Sequence, residues 1–543
     1  MSEAASQIAK PAPSGSGGFF NSVRAFLFAP VDIASLVAYR IGFGALMAWE
    51  AWRYVSNGWV RDEWTGKVFY FTFLGFGWVK PWPGDGMITH WIVIGVLAFL
   101  IMIGCFYRLA IILFFLGFCQ IFLVEMANYL NHFYLICLFA FLMIFVPMHK
   151  SLSIDAWWRP KLRASTVPAW TLWLLRGQMA VAYFYAGVAK LNWDWLRGEP
   201  LRHWLADSKD GYPFVGHLLV EEWAVYLFSY GALIYDLAVA PLLMWKRTRP
   251  YIFAVSLFFH ISNKLLFSIG VFPYFSIAAT LLFFDPEWPK QFWAWSQRTG
   301  RKILAWFVKA SDTPAGGGTS GSPARAAPAV AVATTVVAPV ALGPVTPRQR
   351  AVLWFVGTYF AIQVLVPLRH WLYPGNVSWT EEGHNFAWHM KLRDKEGTGY
   401  FMVSSKKGNL EMRVDPRDYL DKRQNRKMAL RPDMIHQFAI YLAEEYRKQG
   451  YDDVEVRGVF RISLNSRKKQ HMVDPTVNLA AEPRNLWHKR WITQLVEPLR
   501  LPDKSKKTGA ERSSSGTGPV DEPGGEEPVR ERVVPQRGRD LPP

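Results

Sequence analysis

The sequence predicts a membrane all-α bundle of about nine transmembrane helices carrying a C-terminal extramembrane α+β domain. Three observations predict it. Half of the 543 residues are hydrophobic (51%), with 26 tryptophans and 38 phenylalanines, yet 19% are charged, so apolar and polar segments must be segregated. The apolar residues gather into runs long enough, or nearly so, to cross a hydrocarbon layer of about 30 Å. Beyond residue 370 those runs give way to alternating and amphipathic segments of the kind that build a small soluble domain.

In chain order, residues 1–30 are rich in Ala, Ser, Gly and Pro and read as a disordered N-terminus without the layout of a cleaved signal. Residues 31–310 form the helical domain, with eight spans. The first, Ile33–Val55, holds Arg40 and Glu50; charges at that depth face a bundle interior rather than lipid. The others are His90–Phe106, Leu109–Ala127, His132–Pro147, Trp170–Ala189, Trp223–Trp245, Tyr251–Phe267 and Val271–Phe284. Residues 311–350 are a Pro/Ala/Gly-rich disordered loop, and Ala351–Leu368, within 351–370, is the ninth span. In 371–502, Tyr400–Val414 alternates about a Gly408-Asn409 turn and reads as a hairpin. Arg431–Tyr451 reads as an amphipathic helix ending at Gly450, and Val454–Leu464 and His471–Leu479 as strands. Residues 503–543 are a charged, disordered tail.

The net charge of +18 would suggest nucleic acid in a soluble protein. Here the basic residues cluster between apolar runs (Lys150 to Arg163, Lys246 to Arg249, Lys290 to Lys309), where an anionic membrane face is the simpler partner, and nucleic acid is set aside. The same bias places the N-terminus in the cytoplasm and the C-terminal domain on the outer, periplasmic or extracytoplasmic side. Cys105, Cys119 and Cys137 all lie in apolar runs, which argues against a disulfide framework. No metal-ligand spacing, phosphate-binding glycine loop or nucleophile elbow stands out.

The stretch Arg176–Trp195, RGQMAVAYFYAGVAKLNWDW, reads as one apolar helix with Arg176 and Gln178 near one end and Lys190 near the other. Its two cations lie roughly 20 Å apart along the axis. Tyr183, Gly187, Lys190 and Asp194 share one face. An amine at the edge of hydrocarbon has reason to lose its proton and act as a base, because low dielectric disfavours the charged form. Two readings stand open: Lys190 as a base, or Lys190 snorkelling to the headgroups. Asp194, one turn away, opposes loss of the proton.

Four segments in the same order carry a family resemblance. DIASLVAYRIGFG (Asp32–Gly44), NHFY (Asn131–Tyr134), RGQMAVAYFYAGVAKL (Arg176–Leu191) and FHISNKLLFSIGVFPY (Phe259–Tyr274) resemble the vitamin K-dependent γ-carboxylases and their bacterial relatives with the horizontally transferred transmembrane (HTTM) domain. The C-terminal region adds Trp379-Thr380, Trp388-x-Met390 and VDPTVN (Val473–Asn478). The resemblance implies a carbon–carbon lyase with epoxidase activity. Such an enzyme oxidises reduced vitamin K, of menaquinol type, with O2 to the 2,3-epoxide. The alkoxide formed on the way deprotonates a glutamyl side chain for CO2 addition. Carried over, Lys190 is the base and His132 its hydrogen-bonding partner. The resemblance and the aromatic character of these segments assign Tyr183, Asn263, Phe267 and Met390 to the quinol. Trp379, His384, Trp388 and Arg393 go to the glutamyl peptide or protein substrate. Tyr185, Phe272 and Tyr274 are further suitable walls, and Arg40, Arg176 and Asn263 read as buried polar struts. No metal is implied.

One stretch departs from the family. The vertebrate substrate-binding form WTNGLYGYSWDM is here WTEEGHNFAWHM (Trp379–Met390), so Gly383-His384 replaces a Leu-Tyr pair tied to coupling quinol oxidation to glutamate. An epoxidase uncoupled from protein carboxylation is therefore the first alternative. A membrane transporter or scaffold with a Lys190–His132 proton relay is the second.

Overall fold

The computed structural model describes residues 17–267, 270–311 and 344–500. Helix α1 (Gly17–Phe28) occupies part of the stretch expected to be disordered; residues 1–16 lie outside the described residues. Its FFNSVRAFLF sequence supplies an apolar face, and Phe26 packs against Trp173 at 5.2 Å between ring centroids. Strand β1 (Pro30–Asp32) pairs antiparallel with β2 (Thr166–Pro168) and ties this entry segment to the helical domain.

Every predicted span falls on a helix. These are α2 (Ala34–Ser56), α3 (Gly86–Ile103), α4 (Tyr107–Val124), α5 (Asn131–Phe145), α6 (Trp170–Lys190), α7 (Glu222–Met244), α8 (Arg249–Phe267), α9 (Phe272–Thr280), and, beyond α10 (Trp288–Ser311), α11 (Pro347–Leu368). Five of the described helices are long and apolar enough to cross a membrane: α3, α4, α7, α8 and α11 with its 3-10 extension. Helix α2 carries Arg40 and Glu50, and both are buried, as the expectation for charges at depth requires; Arg53, half-buried, pairs with Glu50. Arg40 donates to the carbonyls of Met148 and Ser151 at 2.9 and 3.2 Å, and Arg176 to those of Leu282 and Phe284 at 2.7 and 2.8 Å. Both are struts.

Helix α10 was not expected. Its aromatics alternate with Lys290, Arg298, Arg301 and Lys302, a mixture that breaks any apolar run while still giving the helix two unlike faces. Of the expected loop over 311–350, residues 312–343 lie outside the described residues. Ser311 ends α10, and residues 344–350 enter α11 through a capping box between Thr346 and Gln349.

The C-terminal domain is a four-stranded antiparallel sheet in the order β4-β3-β5-β6 packed against two helices. Its strands are β3 (Lys395–Ser405), β4 (Leu410–Val414), β5 (Glu455–Leu464) and β6 (Gln470–His471). The Gly408-Asn409 hairpin is present, with Phe401 opposite Val414. The strand expected over His471–Leu479 is reduced to β6 and a single bridge from Val473 to Ile492, because Pro475 removes a ladder donor and Asp474 turns the chain onto Thr476. Helix α12 (Lys422–Ala429), capped by Asp421 and Gln424, precedes α13 (Pro432–Lys448). Helix α12 fastens this domain to the helical one: Gln424 Nε2 donates to Glu125 at 2.6 Å, Arg423 pairs with Glu63 at 2.6 Å, and Lys67 pairs with Asp421. The expected tail over 503–543 lies outside the described residues.

Candidate active site

Helix α6 delivers Lys190 to its C-terminal end, where the amine is buried at 5% exposure. Close approach to α7 makes this possible. A Cβ on Gly187 would lie 2.7 Å from the Leu237 side chain and 3.0 Å from its backbone nitrogen, so only glycine fits there. The neighbour of Leu237 is Asp236, and its Oδ2 accepts from Lys190 Nζ at 2.6 Å; a second bond runs to the Ala186 carbonyl at 3.2 Å. The Trp195 ring sits 5.3 Å from the ammonium.

Asp194, the carboxylate that sequence proximity offers to Lys190, is engaged elsewhere. Arg467 grips it in a fork at 2.6 and 2.8 Å and Asn465 adds a third bond at 2.8 Å, all from the C-terminal domain. The side chain that the structure gives Lys190 as a hydrogen-bond partner is Asp236; among the described residues no hydrogen bond joins Lys190 to His132.

His132 is the second residue of α5 and lies near the Glu50–Arg53 ion pair (2.6 Å); a Cβ on Gly270 would be 3.2 Å from Arg53 and 4.0 Å from His132 Nε2. The Phe272 ring links the two halves of the site, with its centroid 6.1 Å from that of His132 and 6.0 Å from that of His260. His260, fully buried on α8, shares its Nε2 with the hydroxyls of Tyr183 at 2.9 Å and Tyr235 at 3.3 Å.

A segment of the C-terminal domain, Glu381–Lys395, covers this end of the bundle. Asn131 Nδ2 donates to the His389 carbonyl at 3.1 Å and Tyr129 accepts from the Phe386 amide at 2.8 Å. Lys190 lies close enough to act electrostatically on His389, whose pKa is pushed down to about 3 by burial first and by His370, Arg393 and Lys190 after it. Within the segment Glu381 pairs with Arg393 (3.0 Å), Lys395 (2.9 Å) and, at 3.7 Å, Arg431. Burial pushes the Glu381 carboxyl up, but the three cations together outweigh it and hold it at about 2. Burial lowers Lys395 to about 8, and burial with the adjacent Arg393 pushes His384 well down.

Of the other expected residues, Asn263 bonds the Phe259 carbonyl of its own helix, and Phe267 packs on Trp204 beside the Lys391 ammonium. Met390 follows His389 in the covering segment. Tyr185 turns to the Val364 carbonyl and Tyr274 meets Trp49 edge-to-face at 5.6 Å, so both are engaged elsewhere. Trp379 is fully buried, donating to the Thr493 carbonyl, and Trp388 packs on Tyr134. His384 accepts from Arg393 at 2.8 Å. Arg393, expected to be available for a substrate carboxylate, is thus already shared by Glu381 and His384.

The HTTM domain family matches residues 28–288, which include His132, Lys190, Asp236 and His260. The vitamin K-dependent gamma-carboxylase lumenal domain family matches residues 348–497, which include the covering segment and the whole sheet. The chain belongs to the vitamin K-dependent gamma-carboxylase family. No solved structure matches it.

Reduced vitamin K, the cofactor this family implies, is an apolar ring system with hydrogen-bonding ends. The residues present suit it: aromatic rings of Phe272, Tyr235 and Tyr183 lie beside His260, whose Nδ1 is buried without a hydrogen-bond partner among the described residues, and the covering segment adds the two likewise unpartnered ring nitrogens of His389. Sequence reasoning missed Asp236, although an ionisable residue inside an apolar run is itself a signal. It also missed His260, within the quoted FHISN segment, and Glu381, Lys395 and Arg431, which look like ordinary surface charges until the domain folds over them.

Proposed function

We propose that this carboxylase-family protein is an integral membrane vitamin K-dependent γ-glutamyl carboxylase and epoxidase. In this reading it has nine spans, a cytoplasmic N-terminus and its C-terminal domain on the outer side. The observation that carries the reading is the convergence of Lys190 and Asn131-His132 beneath one segment of the C-terminal domain, Glu381–Lys395. When bound, the quinol supplies, with O2, the strong base that acts on the glutamyl γ-carbon. Lys190 Nζ passes its own proton to Asp236 Oδ2 and, as the neutral amine, receives the proton of the quinol hydroxyl, with Asp236 holding the amine in place throughout. His132 orients the same end of the quinol and holds or relays the proton. Tyr183, Asn263, Phe267 and Met390 line the quinol side; the docked covering segment excludes water from it. On the glutamate side, Trp379, His384, Trp388 and Arg393 position the substrate, which CO2 then meets.

A second reading is quinol epoxidation uncoupled from protein carboxylation. The engagement of Arg393 and His384 with Glu381 and with each other favours it, since a substrate carboxylate must displace an internal one. The transporter or scaffold reading has no observation in its favour. One assay separates all three: purified protein with reduced vitamin K under O2, labelled CO2 and a glutamyl peptide, with products identified by mass. Epoxide with labelled peptide supports the first reading and epoxide alone the second. No quinol turnover defeats both.

A further inference from the structure

In the C-terminal sheet, β5 covers β3 from Lys395 to Ser404, whereas β4 covers only Phe401–Ser405. On its β4 side the first half of β3, Lys395–Tyr400, therefore has no strand neighbour among the described residues. An unpaired strand edge presents a row of N–H and C=O groups that another extended chain can complete. A cavity of about 850 Å³ opens along this edge, floored by Gly397–Tyr400 and bounded by α12, β4 and β5. Two of its floor residues are glycines because β5 passes too close for a side chain: a Cβ on Gly399 would lie 2.2 Å from the Phe460 ring. The floor is thus mostly backbone.

The walls are basic. Asp415 is the one carboxylate lining the cavity, and Arg417 is already paired with it. Arg423 is paired with Glu63. Arg413, Lys422, Arg426 and Arg461 remain without a carboxylate among the described residues, and all four are exposed. An open strand edge flanked by unpaired cations matches an extended chain whose alternate side chains are carboxylates.

We propose that this groove docks an acidic, glutamate-rich peptide segment as an added strand along Gly397–Tyr400, with its carboxylates on Arg413, Arg426 and Arg461. The direction of β3 gives the docking a use. The strand begins at Lys395, which touches Glu381, and at about 3.3 Å per residue Gly397 is only some 7 Å from it. A chain laid on this edge is led toward the covering segment. The docking stands on the groove alone; its use in presenting a glutamyl side chain rests on the carboxylase reading.

The test is binding, measured without quinol on the full chain in zwitterionic-lipid nanodiscs. The probe is a fluorescent alternating Glu-Thr peptide, followed by anisotropy. The expected result is saturable binding that weakens at least about tenfold for the Gln-Thr counterpart and for Arg426→Glu with Arg461→Glu. It weakens equally for a Glu-Thr peptide N-methylated at alternate backbone nitrogens, which cannot add as a strand. Full affinity of the methylated peptide overturns strand addition, and equal affinity of the Gln-Thr peptide overturns acidic recognition. A short DNA strand that binds as well as the Glu-Thr peptide, and displaces it, makes the groove a general polyanion patch and overturns the proposal. The peptide comparisons need no variant. Binding that persists in Lys190→Ala while all turnover is lost keeps this proposal separate from the carboxylase reading.

Discussion

Lys190 and Asp236 form an ion pair of 2.6 Å with side-chain exposures of 7% and 6%, on two helices held together at Gly187. Breaking a buried pair from one side leaves an uncompensated charge, which costs about 3–5 kcal/mol, whereas replacing both partners by apolar groups of similar volume is close to neutral. Lys190→Ala is therefore expected to lower thermal stability as well as to abolish epoxide formation. Lys190→Met combined with Asp236→Leu is expected to restore stability and leave activity absent. Recovery of epoxide formation by the double variant would remove Lys190 as the base.

His389, whose backbone carbonyl accepts from Asn131, has two buried ring nitrogens without hydrogen-bond partners among the described residues. If these nitrogens meet the quinol or the proton Lys190 handles, His389→Ala lowers quinol turnover by roughly 10²-fold, the lower range for a lost acid–base group. His132→Ala is expected to behave alike. Circular-dichroism melts within a few degrees of the parent, set beside single-turnover rates, check this. Equal rates would make both residues structural.

Glu381 is held at about 2, below its ordinary 4.5, by three cations that outweigh its burial. The sign follows from linkage: its stabilising contribution is fully present above about pH 4.5. It is lost as the pH falls toward 2, because the unfolded chain takes up the proton first. Unfolding followed from pH 6 to pH 2 is expected to show this loss, and Glu381→Gln to flatten it. The same variant frees Arg393 and Lys395 and is expected to tighten binding of a glutamyl peptide by about tenfold, as charge-assisted bonds become available. Unchanged affinity would show that Glu381 does not compete with substrate.

Gly383 has φ +70°, and a Cβ there would lie 2.6 Å from His370 Cα. Gly383→Leu is expected to destabilise the C-terminal domain by at least about 1–2 kcal/mol through the left-handed backbone alone, with the clash in addition. Restoring the vertebrate-like pair at 383 and 384 is therefore not expected to restore coupling here. On the second, uncoupled reading, glutamyl peptide leaves the parent's epoxidation rate unchanged. A peptide-dependent rise in epoxide would contradict this.

The apolar runs located each of the five described helices long and apolar enough to cross a membrane, because burying a helix in hydrocarbon leaves a length and hydropathy signature in consecutive residues. The Gly408-Asn409 hairpin and the helix stopping before Gly450 were legible for the same reason: turn and cap chemistry is local. Helix α10 escaped because Trp, Lys and Arg alternate along it, and α12 because eight residues, half of them charged and two more amides, look like a loop unless the Asp421–Gln424 capping box is noticed.

The sequence by itself determined that Lys190 ends an apolar helix and that the chain carries the motifs of the γ-carboxylases. Only the tertiary structure decided which carboxylate meets that amine. Asp194 is four residues away and Asp236 forty-six, yet Arg467 and Asn465 take the first, and the Gly187 contact brings in the second. Periodicity fixes which residues share a face, but partners across helices follow from how closely two backbones approach and from which cation reaches a carboxylate when the domains close. Glu381, Arg393 and Lys395 show the same thing. Spaced along one polar segment they read as solvated charges, and they become a buried cluster only when the C-terminal domain folds over them.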